Sequence, residues 1–138
     1  MTIQENKDLV RRYNEEIWNE HKIEKVAEYV GGDILEESKE HVRQFLAAFP
    51  DTHVTTEDMF CEGDKVVARL VAEATNTGPF AGQPPTGKKV QIQSIRIYRI
   101  TDNKIVETWA MQDRLGLMEQ LGFVQSAGGV NWAAGDEG

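Results

Sequence analysis

Pro50 divides the chain into two hydrophobic periods, and few folds accommodate both. Before it, apolar residues recur every three or four positions, as one face of a helix requires. Leu9, Val10, Tyr13 and Ile17 predict a first helix from Ile3 to Trp18, and Ile23, Val26, Ala27 and Val30 a second ended by Gly31-Gly32. Val42, Phe45, Leu46 and Phe49 mark a third, which Pro50 stops because its ring and missing N–H cannot continue the ladder. Beyond Pro50 the pattern alternates. HVTTEDMFCE and VVARLVAEAT flank the turn EGDK, while KKVQIQSIRIYRI and IVETWAMQ flank TDNK, which predicts two hairpins. Between them NTGPFAGQPPTG is too rich in Gly and Pro for a regular element. Leu115, Met118 and Leu121 give a last short helix with Gly122 as its stop. Helices, antiparallel hairpins and a final helix make an α+β order, with a curved sheet burying the helical stripes on one face.

The chain has 138 residues, the size of one domain. Residues 1–124 are expected to form it, and 125–138, small and acidic apart from Trp132, to form a loose tail. The net charge of −8 repels phosphate backbones and anionic lipid surfaces, so neither nucleic acid nor membrane is an expected partner. Cys61 is the lone cysteine, which leaves no intrachain disulfide and fits a reducing, cytoplasmic setting; it reads as a partly buried strand residue. No apolar run approaches membrane-spanning length. His21, His41 and His53 are widely spaced, so no metal site is expected. The Gly-Pro loop lacks a GK[ST] ending and leads into a strand, which argues for a cavity lip, with Phe80 inward or packed on the sheet, over a phosphate loop.

The second hairpin holds the polar residues of interest. With Asp102-Asn103 as its loop, Thr101 faces Lys104, Tyr98 opposes Glu107 and Arg96 opposes Trp109. Alternation then places Glu107, Trp109, Met111 and Asp113 on one face with Ser94, Arg96 and Tyr98. Arg96 has two readings, a substrate contact or an ion pair with diagonal Glu107. Asp113, just before the last helix, is by residue type a favoured N-cap. The opposite face would carry Ile95, Ile97, Val106 and Ala110, an apolar row that predicts a homodimer.

The phrases ENKDLVRRYNEEIWN, AAFPDTHVTTEDMFCEGDKVVARLVAEATNTGPFAGQPPTGKKV, IYRITDNKIVETW and QDRLGLMEQLG resemble the SnoaL-like polyketide cyclase family, often labelled ester cyclase, of the nuclear-transport-factor-2-like superfamily. The likeness spans roughly residues 5–122 and is most specific in the G-x-F-x-G-x-P-P-T-G loop, Gly78 to Gly87. It implies a conical α+β barrel, a bent antiparallel sheet wrapped by N-terminal helices round an apolar cavity. It also implies ring closure by intramolecular aldol condensation without metal or cofactor, with an acid/base aspartate at the position of Asp113. One departure stands out. The family's strand ending in an Asp-His pair has no counterpart in VAEYVGGDILEESKEHV, and His41 lies in the next helix.

On this basis Asp113 is the expected catalytic base, desolvated by Trp109, Met111 and Leu117, and taking a proton between two carbonyls. Trp109, Arg96, Tyr98, Ser94 and Phe80 are the expected substrate contacts, with Arg96 or Tyr98 steadying the oxyanion. The expected ligand is a small apolar, polyketide-like carbonyl compound. The alternatives are a non-catalytic ligand-binding or accessory protein and a cofactor-independent hydroxylase relative.

Overall fold

Residues 2–125 are described by the structure, a computed structural model; the expected tail, including Trp132, lies outside them apart from Gln125. Helix α1 (Ile3–Tyr13) opens on a capping box in which Thr2 and Glu5 exchange side-chain and backbone hydrogen bonds. It runs into a π-helical turn, Asn14–Asn19. The wider turn ends where Asn19 grips Val54 through both its amide atoms, at 2.6 and 3.0 Å, and it leaves Trp18 facing inward. The second expected helix is a 3₁₀ turn (Ile23–Lys25) followed by α2 (Val26–Tyr29). Lys104 donates to the Ala27 and Glu28 carbonyls at 2.8 and 2.9 Å, placing a cation at the negative end of α2. Helix α3 (Leu35–Ala48) ends before Pro50, and α4 spans Arg114–Leu121.

Four strands, β1 (His53–Glu62), β2 (Lys65–Thr75), β3 (Lys89–Thr101) and β4 (Lys104–Gln112), form an antiparallel meander in the order β1-β2-β3-β4. The sheet is curved but does not close. Val30, directly after α2, adds a single parallel bridge to Ile105. Helices α1 to α3 bury Leu9, Val10, Ile17, Val26, Val42 and Leu46 against Val54, Val66, Ala68 and Leu70. Each large aliphatic side chain buried there contributes roughly 1.5–3 kcal/mol. A second cluster joins Phe49, Val90, Ile92, Leu117 and Leu121, which seats α4 on the end of the sheet.

Two bulges give the sheet its bend. In β1 the register steps between Thr56 and Asp58; in the second hairpin it steps between Arg99 and Ile100. The second step corrects the predicted face assignment. Thr101 pairs with Lys104 and Ile100 with Ile105, but Arg99 then pairs with Glu107, leaving Val106 as the extra residue. From there on every β4 side chain is inverted relative to the uninterrupted register. Thr108, Ala110 and Gln112 pair with Tyr98, Arg96 and Ser94 on the concave face, whereas Trp109 and Met111 pair with Ile97 and Ile95 on the outer one. Ala110 and Val106 therefore drop out of the expected outer row, and Trp109 and Met111 join it.

The Gly-Pro loop is fastened by Asn76, which is fully buried. Its side chain donates to the carbonyls of Gly78 (2.8 Å) and Ala48 (3.3 Å) and accepts from the backbone N–H and hydroxyl of Thr86 (2.8 and 3.0 Å). Gly78 lies so close to the end of α3 that a methyl group on it would overlap the Ala47 carbonyl oxygen. Asn76→Ala removes four hydrogen bonds at once and leaves the buried Gly78 carbonyl without its side-chain donor, although the Ala48 carbonyl keeps the Thr77 and Gly78 N–H groups. It should cost about 3 kcal/mol, seen in urea unfolding as a lower midpoint with an unchanged slope.

Candidate functional site

A cleft of about 560 Å³ opens between the concave face of the sheet and the helices that cover it. Tyr13 and Trp18 come from α1 and its π-helical turn, Ser38 and His41 from α3, and Arg96, Tyr98, Thr108 and Gln112 from the sheet. An adjoining recess of about 40 Å³ shares Trp18, His41, Arg96 and Gln112, and its apolar walls are Phe45, Leu70 and Ile92. Aromatic surface meets a few converging polar groups, the usual make-up of a small-molecule site.

The floor is fixed by cross-strand neighbours. Arg96 sits between Ala68 of β2 and Ala110 of β4, whose methyl groups leave room for the guanidinium. Tyr98, 1% exposed, lies between Val66 and Thr108. Its hydroxyl has no hydrogen-bond partner among the described residues, and neither side-chain atom of buried Asn14 has one. Asn14 is near enough to the Tyr98 hydroxyl to favour its ionised form slightly, yet no hydrogen bond closes between them. Burial dominates and raises the Tyr98 pKa, with Arg96 opposing it. Burial likewise pushes Tyr13 up to about 12, the neighbouring Tyr98 adding to the rise. Both phenols therefore stay protonated near neutrality and can donate hydrogen bonds.

His41 stands over this floor. Its ring meets Trp18 edge-on with centroids 5.8 Å apart, and Trp18 meets Phe45 in the same way at 5.7 Å. Although His41 is exposed at the mouth of the cleft, partial desolvation by the surrounding protein lowers its pKa below the ordinary 6.5, and the positive charges of Arg96 and Arg114 lower it further. The neutral ring, which can accept a proton, thus predominates at pH 7.

The expected site residues separate into two groups. Arg96 and Tyr98 line the main cleft, and Ser94 and Arg96 the recess. Trp109 is on the outer face, 46% exposed, because the Val106 bulge inverted its strand. Met111 keeps only a place at the cleft rim and Leu117 belongs to the second core cluster, so the expected desolvating wall does not assemble. Phe80 packs on Phe49 at 5.2 Å, outside the cleft. Asp113 is exposed and caps α4, its Oδ1 accepting from the Gly116 N–H at 2.9 Å. Gly116, in the first turn, makes room for this cap, since a side chain there would push the Asp113 carboxylate aside.

Glu107 also changes partner. It pairs with Arg99 on the outer face in place of Arg96. Among the described residues neither Arg96 nor Arg114 forms an ion pair. Tyr13, Trp18, His41 and Gln112 are cleft residues that sequence reasoning passed over. His41 precedes Phe45 by one helical turn and so extends the apolar stripe of α3, the one available indication that it faces inward.

No curated protein matches the chain. Among solved structures, TsrD of Streptomyces laurentii superposes with a TM-score of 0.83 at 24% identity, covering 90% of this chain and 99% of that one. AclR of Streptomyces galilaeus, a proposed hydroxylase, gives 0.83 at 25% identity over 91% and 85%. A proposed polyketide cyclase of Acidithiobacillus ferrooxidans gives 0.77 at 28% identity over 89% and 99%. The family model described as SnoaL-like polyketide cyclase matches residues 7–121, and with the curved sheet, the covering helices and the cleft between them this places the chain in the SnoaL-like polyketide cyclase family.

Proposed function

We propose that the protein is a cyclase or isomerase-type enzyme that transforms a small, largely apolar carbonyl compound by general acid–base catalysis, with no cofactor. The observation that carries this reading is the meeting of a neutral, proton-accepting His41 with the protonated Tyr13 and Tyr98 hydroxyls in one aromatic-walled cleft. His41 removes the acidic proton between two carbonyls. The unpartnered Tyr98 hydroxyl donates to the enolate oxygen as charge develops, and Arg96 adds its field. Substrate lies against Trp18, with Ser94 and Gln112 toward the recess.

Two groups compete for the base role. The family resemblance assigns it to Asp113, which adjoins the cleft residues Gln112 and Arg114 but spends one oxygen on capping α4. We assign it to His41, whose ring is inside the cleft. A hydroxylase reading draws support from the likeness to AclR; it requires oxygen consumption coupled to product.

The outer face of the sheet supports pairing with a second copy. Phe60, Val67, Ile97 and Trp109 form one apolar row across all four strands, and Ile95, 51% exposed, pairs with Met111, 81% exposed, beside it. That is a contiguous apolar patch of the kind soluble monomers rarely leave in water. Among the described residues no helix is long and apolar enough to cross a membrane. A cytoplasmic setting is supported by the single unpaired cysteine.

The base assignment is checked by deuterium exchange at the central carbon of benzoylacetone in D₂O, followed by NMR. His41→Gln should lower catalysed exchange by about 10²-fold or more, while Asp113→Asn should keep most of it and, because Asn caps a helix as well as Asp, leave stability nearly unchanged. The opposite pattern assigns the base to Asp113, and no exchange with wild type leaves a binding protein. Because protonation of His41 removes the base, wild-type activity should fall on acidification with its midpoint below the ordinary histidine value of 6.5. Sedimentation equilibrium should give twice the chain mass, and Trp109→Glu should halve it; a wild-type monomer sinks the dimer.

A further inference from the structure

Arg96 is the only charged side chain on the concave rows of the sheet; its row reads Met59, Ala68, Arg96, Ala110, and the flanking rows hold Val66, Tyr98, Thr108 and Leu70, Ser94, Gln112. Arg96 is half-buried, and a guanidinium so placed gives up part of its hydration, which an anion or fixed acceptors would make good. The protein supplies neither. Register inversion at Val106 carries Glu107 away to Arg99, and no hydrogen bond to Arg96 forms among the described residues. The Tyr98 hydroxyl, buried beside it on the same face, also lacks a partner.

Charge in the cleft is opposite to charge in the chain. Against a net −8 the cleft holds Arg96 and Arg114 and a single carboxylate, that of Glu37, which is exposed. Two unpaired guanidiniums produce the field that lowers the His41 pKa beyond the effect of burial.

Taking the cleft as the ligand site proposed above, we infer that its substrate is an amphipathic carboxylate, a planar polyketide-like or aromatic acid whose carboxylate is held by the Arg96 fork and the Tyr98 hydroxyl. The apolar body then lies along Trp18, with a narrow end in the recess between Phe45, Leu70 and Ile92. Guanidinium and carboxylate match as planar, two-bonded partners, and a pair shielded by aromatic walls is stronger than one in water. A phosphate dianion fits less well, because it calls for clustered backbone amides or several cations around one group. Here Arg96 stands alone on the floor among uncharged side chains, and the second guanidinium, Arg114, is exposed at the start of α4.

The test is calorimetric titration of the full chain with 2-naphthoate and with its neutral analogue 2-naphthamide. Wild type should bind the acid about tenfold or more tightly than the amide, with the preference shrinking as salt rises. Arg96→Gln should bring the two affinities within about twofold, with most of the loss falling on the acid. Because Arg96 has no partner to lose, this variant should melt no lower than wild type; should it fail to fold, Arg96→Lys, which keeps the charge without the fork, should retain only part of the preference. Equal binding of acid and amide by wild type overturns the anion proposal and leaves the cleft reading standing. A preference that survives Arg96→Gln, or equal competition by inorganic phosphate, also overturns it. Binding of neither probe removes the cleft reading itself.

Discussion

One extra residue in one strand organises this molecule. At Val106 strand β4 takes a bulge against Arg99 and Ile100, and the side-chain alternation beyond it is inverted. The bulge allows Ile105 to remain in the core beside Ile100 while Thr108, Ala110 and Gln112 also face inward. Small and polar side chains thus line the floor where an unbroken strand would have put Glu107, Trp109 and Met111. A Trp opposite Arg96 would fill the space that Ala110 leaves open. The same inversion moves Glu107 to Arg99 and isolates the Arg96 guanidinium, so cavity volume, site charge and the apolar outer face share a single cause.

The Gly-Pro loop has a different task from the one its sequence invites. It does not bound the cleft. Asn76 straps it to the end of α3, and Phe80 packs on Phe49. Phe49 stacks on Phe45 at 4.8 Å, and Phe45 meets Trp18, so an aromatic row runs from the loop through α3 to the cleft wall. Edge-to-face contacts of this kind add about 0.5–1.5 kcal/mol each beyond area burial. The loop is thus joined by packing to α3, the helix that carries Ser38 and His41.

Periodicity made the elements legible, because a helix stripe and a strand alternation are local properties of the chain. The three N-terminal helices, the four strands and the terminal helix stand where the apolar spacing puts them, and Gly122, at φ 82°, stops α4 as a left-handed cap. The site was only partly legible. Arg96, Tyr98 and Ser94 could be placed because β3 itself carries no extra residue, so its alternation is unbroken. Trp109 could not be placed, since an inserted residue has no mark in a sequence that alternates acceptably in either register. His41 was passed over because no paired acid or spacing motif accompanies it; its position over the floor results from the way α3 crosses the sheet.

The sequence by itself determined the α+β order, the helix and strand positions and the family likeness, each resting on interactions within a few residues or on patterns repeated along one element. The tertiary structure alone decided which face of β4 meets the helices, what stands beside Arg96, and whether Asp113 is enclosed or capping in the open. These depend on a bulge and on the packing of distant segments, whose energies belong to pairs of elements and are written in neither one.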